Sequence, residues 1–123
     1  MIPGPRHPIR ITGSGDHVTV SAGGVHIADS RRPMVLEEAD YPPVYYLPRE
    51  DVNFAALAAS DHVTHCPYKG DATHYSLAGD GSIVAWSYEA PNPSAGEIRD
   101  YVAFYPDRVR IDVSPLHQGI SAR

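Results

Sequence analysis

Two of the seven histidines, the only cysteine and the only lysine of the chain fall in one short segment, His62-Val63-Thr64-His65-Cys66-Pro67-Tyr68-Lys69-Gly70. Nine arginines carry the rest of the positive charge. A lone lysine in such a background marks a position that wants a compact ammonium. Three chemistries follow from the residue types. Cys66 is a candidate nucleophile, because cationic neighbours lower a thiol pKa. The competing reading is a small buried hydrophobe before a proline. His62 and His65 are candidates for proton transfer near neutral pH, with Glu50 or Asp51 as the orienting carboxylate. Asp51 also reads as a helix N-cap, which leaves Glu50 the better functional candidate, with Glu89 second. Metal binding is the third. On a strand, His62 and Cys66 share one face and His65 and Lys69 the other, so one metal receives two ligands and not three. No metal residue is assigned and no cofactor is expected, zinc being the metal weighed against these ligands.

Anion binding draws on more of the chain. Arg31-Arg32, Arg49 and Lys69 fall in turn-like segments flanked by Tyr46, Tyr68, Tyr75, Trp86 and Tyr88. Such aromatics give apolar walls with polar tips, and the cations suit a small acid, phosphate or carbonyl compound. The ligand-binding candidates are therefore Arg32, Tyr46, Arg49, Lys69, Trp86 and Tyr88. The catalytic candidates are His62, His65, Cys66 and Glu50.

The elements that must position these residues read as mainly β. Twelve prolines and ten glycines punctuate short runs rich in Val, Ile, Tyr and Thr, which suits an antiparallel sandwich or barrel. A hairpin is predicted over His17–Ala28, turning at Ala22-Gly23-Gly24. Strands are predicted at Pro8–Thr12, Met34–Glu37, Val44–Leu47, His62–Cys66, Thr73–Ala78, Ser82–Tyr88 and Arg108–Val113. Two short helices are predicted, one over Val52–Ala59 capped by Asp51 and one from Pro93 or Ser94 to about Tyr101. Residues 8–113 form one domain, with short flexible termini at 1–7 and 114–123.

Four strings together resemble the DUF427 family: Tyr45-Tyr46-Leu47-Pro48-Arg49-Glu50-Asp51-Val52, Asp61 to Gly70, Ala85-Trp86-Ser87-Tyr88, and Val102-Ala103-Phe104-Tyr105-Pro106-Asp107. The resemblance covers roughly residues 8–112. It implies a bacterial or fungal origin and a small β domain similar to the β-tent, or Mss4-like, architecture. It implies no established activity. The family is sometimes filed under a nucleotidyltransferase label. Nucleotidyl transfer needs a Gly-Ser turn followed by a paired carboxylate that holds magnesium. Gly81-Ser82 is present, but no Asp-x-Asp or Asp-x-Glu follows it.

Composition narrows the classes further. The 123 residues suit one domain. A net charge of −5 argues against non-specific nucleic-acid binding. One cysteine allows no intrachain disulfide. No apolar run approaches the roughly 20 residues of a membrane span, and the N-terminal residues carry no apolar signal region, so the cytoplasm is expected. The leading function is binding of a small polar or anionic molecule in a pocket on His62–Lys69, with acid–base chemistry as an option. The alternative is a non-catalytic interaction module, since Tyr, Trp and Arg dominate interface energetics. Nucleotidyl transfer ranks third. The expected partner is a small molecule rather than nucleic acid or membrane, and a homodimer is compatible with it.

Overall fold

The computed structural model describes residues 8–115. Ten strands make three antiparallel sheets. The first sheet has the order β1-β4-β5, from Ile9–Gly13, Met34–Glu38 and Val44–Tyr46. The second has the order β10-β2-β3, from Arg110–Ser114, His17–Ala22 and Val25–Ser30. The third has the order β6-β7-β8-β9, from Leu57–Cys66, Gly70–Leu77, Ile83–Ser87 and Val102–Phe104. The protein is a mainly β domain, as the turn spacing predicts.

The four-stranded sheet contributes to two cores, because successive side chains on a strand point to opposite faces. Tyr75, Ala85 and Phe104 are cross-strand neighbours and pack with Val18, Val20 and Ile27 of the second sheet. Ala72, Ala103 and Trp86 pack with Leu36 and Tyr46 of the first sheet. Reciprocal backbone hydrogen bonds of 2.8 Å between Leu47 and Val102 join the first sheet to the third.

The His17–Ala28 hairpin forms with its turn at Gly23 and Gly24, both at positive φ (56° and 82°). That conformation suits glycine and the twist of a two-residue hairpin loop. The β10 strand runs one residue beyond the expected boundary, with Ser114 opposite His17. The expected flexible termini otherwise fall on residues 1–7 and 116–123, which lie outside the described residues.

Neither helix forms as expected. Phe54–Ala56 is a single 3₁₀ turn, and Leu57, Ala58 and Ala59 pair with Leu77, Ser76 and Tyr75 at the start of β6. The Ala-rich run favours a helix locally, but eight residues barely repay nucleation, and strand pairing buries Leu57 in the first core. The cap is Asn53, whose side chain accepts from the Ala55 amide at 3.2 Å. Asp51 instead accepts from Ser30 Oγ at 2.7 Å. The second helix is a kinked 3₁₀ segment, Pro93–Ile98, that buries Ala95 and Ile98. Strand β9 was not expected, since Val102-Ala103-Phe104 is an unbroken apolar run without alternation.

The β6–β7 turn is held by the loop before this 3₁₀ segment. The Asn92 amide donates to the Lys69 carbonyl at 2.8 Å. Asn92 Nδ2 donates to the Pro67 carbonyl at 3.1 Å, and Ser94 Oγ to the Tyr68 carbonyl at 3.0 Å. Gly70 sits at φ +112°, and a Cβ there would meet the Asn92 backbone nitrogen at 3.3 Å. Both strain and crowding oppose a side chain at this position. Gly70→Ala is expected to cost about 1–3 kcal/mol of stability, read by urea denaturation. An unchanged midpoint would mean that the turn is not clamped in this way.

Candidate functional site

Clamping the turn directs Lys69 inward, where its ammonium pairs with the Glu38 carboxylate of β4. The pair is largely withdrawn from water, with side-chain exposures of 12% and 11%. It lies at a cavity of about 150 Å³ between the first and third sheets. The walls are aromatic: Tyr46 from β5, Trp86 and Tyr88 from β8 and its end, and Tyr105 after β9. Trp86 Nε1 donates to the Tyr46 hydroxyl at 3.2 Å, and the two rings meet edge to face. The Lys69 Nζ stands 5.9 Å from the Tyr88 ring centre. Thr64 of the edge strand β6 is exposed and lines the cavity.

His74 is the histidine of this cavity. It is 2% exposed. Its Nε2 lies 3.1 Å from the Tyr105 hydroxyl. Its Nδ1 is the one buried side-chain polar atom without a hydrogen-bond partner among the described residues. Burial, then the neighbouring His62 ring, lowers its pKa below 6.5. Burial likewise pushes the Tyr46, Tyr88 and Tyr105 hydroxyls above their ordinary values. The histidine and the three phenols are thus held in their neutral forms at pH 7.

The unfolded chain takes up a proton at His74 near pH 6.5, and the folded chain does so only at lower pH. The stability tied to neutral His74 is full above 6.5 and is lost as the pH falls from there through the folded value. The melting temperature is expected to drop more steeply below pH 6.5 for the native chain than for His74→Gln. Parallel profiles would show that His74 does not titrate with folding.

The expected site residues divide between two faces. Tyr46, Lys69, Trp86 and Tyr88 converge on the cavity. Cys66 is half-buried and packs against the same core. His62 is exposed on β6, its ring 4.7 Å from that of His74. His65 points away and pairs with Asp71 at 2.7 Å, both well exposed. The turn thus separates Lys69 from His65, which the strand reading had put on one face.

Arg49 is not in the cavity. It contacts the Tyr75 hydroxyl, the Asp100 carbonyl at 3.1 Å and Glu89 at 3.4 Å. Tyr75 follows His74, so this cluster lies on the opposite face of β7. Arg32 and Glu50 pair with each other at 2.8 Å on the surface. Among the described residues neither Glu50 nor Asp51 meets a histidine. Among the described residues no group of three or more His, Cys, Asp or Glu could hold a metal ion.

Glu38 and His74 are the charged and titratable cavity residues most plainly missed from sequence. Glu38 had a signal: Leu36 and Glu38 share one face of β4, so a carboxylate continues an apolar stripe. His74 had only its parity with Ala72. A second cavity, about 200 Å³ and almost wholly apolar, shares Val44 and Trp86 with the first. Its one titratable group, Tyr45, donates to Asp16 at 2.7 Å. The titratable side chains gather in the smaller, polar cavity, where Glu38, Lys69 and His74 meet.

The four motif strings thus contribute walls, turn and cation to one fold. The family model described as a domain of unknown function, DUF427, matches residues 10–114. The chain belongs to the DUF427 family. No curated protein matches it. For this DUF427 domain no helix among the described residues is long and apolar enough to cross a membrane.

Proposed function

We propose that this DUF427 domain binds a small polar molecule in the Lys69–Glu38 cavity. The observation that carries the reading is a buried ion pair beside a free volume of about 150 Å³ walled by tyrosine and tryptophan. A purely structural pair would be expected to close on itself. Drug-sized sites hold about 300–1,000 Å³, so the ligand has only a few heavy atoms. The pair is already neutral as a unit. That favours an uncharged molecule offering an acceptor to Lys69 over a simple anion. The groups placed for proton transfer there are Lys69, Glu38 and His74. The reading calls on no cofactor. We further place the domain in the cytoplasm and its three sheets in the β-tent, or Mss4-like, class.

The test is a thermal-shift comparison of propionamide, lactamide, propionate, inorganic phosphate and nucleotides. A ligand at about 100 times its Kd adds about 2.7 kcal/mol, a shift of several degrees. The amides are expected to stabilise the native chain and to leave Thr64→Trp, which plugs the cavity from its rim, unchanged. Stabilisation by phosphate or propionate alone would restore the anionic ligand. Equal shifts in Thr64→Trp would place binding elsewhere, and no shift from any probe would favour the interaction module.

A further inference from the structure

We propose that Lys69 forms an imine with small aldehydes and ketones in the polar cavity. The proposal rests on the binding reading above and names carbonyl compounds as its ligand class. Three observations meet here. The chain's only lysine lies at the cavity and is largely buried. A carboxylate touches its nitrogen. Aromatic side chains wall the space and limit the water that would hydrolyse an imine. The touching Glu38 carboxylate is the group positioned to take the ammonium proton.

The proton balance closes within the pair. Lys69 passes one proton to Glu38 and becomes a neutral amine. The amine adds to the carbonyl carbon, forming a C–N bond as the C=O π pair moves to oxygen. A proton shifts from nitrogen to that oxygen, giving a carbinolamine. Glu38 then returns its proton to the hydroxyl, which leaves as water while the nitrogen lone pair forms C=N. The products are a protonated imine and the Glu38 carboxylate, so the carboxylate faces a cation at the start and at the end. The cavity's size admits propanal-sized substrates. His74, with its unpaired Nδ1, offers a hydrogen-bond partner for a hydroxyl or amide elsewhere on the ligand.

A single lysine makes the test clean, because the only other primary amine is the chain terminus. The full chain is treated with propanal and sodium cyanoborohydride, and adducts are mapped by mass spectrometry. Lys69 is expected to be alkylated roughly 100-fold faster in the folded chain than in denaturant, with the terminal amine as internal reference. Glu38→Gln is expected to slow this by about 100-fold while circular dichroism stays native. Where that variant fails to fold, excess propionamide on the native chain is the second arm and should protect Lys69. Equal folded and unfolded rates overturn the imine. A propionamide thermal shift without preferential Lys69 labelling leaves the binding reading standing and removes the imine. Neither shift nor labelling removes both.

Discussion

Replacing Lys69 by alanine is expected to lower folding stability by about 3–5 kcal/mol, because it removes the cation facing the Glu38 carboxylate in a poorly solvated space. The reasoning turns on asymmetry. Burying two charges costs several kcal/mol per ion, and their mutual attraction roughly offsets that. Removing one leaves the cost without the offset. At 12% and 11% exposure the pair is too sheltered for water to take the missing partner's place. Glu38→Ala should cost a similar amount for the same reason. The double replacement Glu38→Leu with Lys69→Met should recover most of the loss, since an apolar pair of similar volume has no desolvation term. Urea denaturation of the four proteins reads all three effects. A loss below about 1 kcal/mol for Lys69→Ala would place the pair in the class of solvated surface bridges. Thermal-shift experiments on Lys69 variants must therefore be read against each variant's own melting point.

The second large effect is expected at Tyr46. It heads the large side chains that are almost fully buried, at 1% exposure. It packs with Leu36, Ala72 and Ile98 in the second core and meets Trp86 edge to face. Tyr46→Ala removes a whole ring, for which about 3–5 kcal/mol is expected. Tyr46→Phe keeps the ring and takes away the acceptor of Trp86 Nε1–H. That leaves a half-buried donor unpaired and is expected to cost about 1 kcal/mol. Denaturation midpoints for the two variants separate packing from hydrogen bonding. If Tyr46→Phe were as damaging as Tyr46→Ala, the hydroxyl would be the principal contributor and the packing account would fail. Both variants enlarge or depolarise the polar cavity, so both should also weaken the amide-induced thermal shift.

Individual residues show where sequence reading reached and where it stopped. Strands β2 and β3 were legible because Val18, Val20 and Ile27 mark one face and two glycines mark the turn. Lys69 was legible as an anomaly of composition. The Val52–Ala59 helix was a wrong reading because local propensity favoured it, while pairing of Leu57–Ala59 with β7 decided the outcome. Grouping Arg49 with Lys69 failed for a related reason. Both belong to charged strings, but one lies by Tyr75 and the other by His74, on opposite faces of β7.

The family, the β-rich class, most strand positions and the segment that carries the cation are legible in one dimension. Alternation, turn chemistry and motif strings are short-range and survive in one dimension. That Lys69 meets Glu38, 31 residues away, and that His74 rather than His62 or His65 lines the cavity, emerges from folding alone. These pairings arise from how the first sheet stacks on the third. Stacking is set by the summed burial of Leu36, Tyr46, Ala72, Ala103 and Ile98, a long-range quantity with no signature at the positions of the site itself.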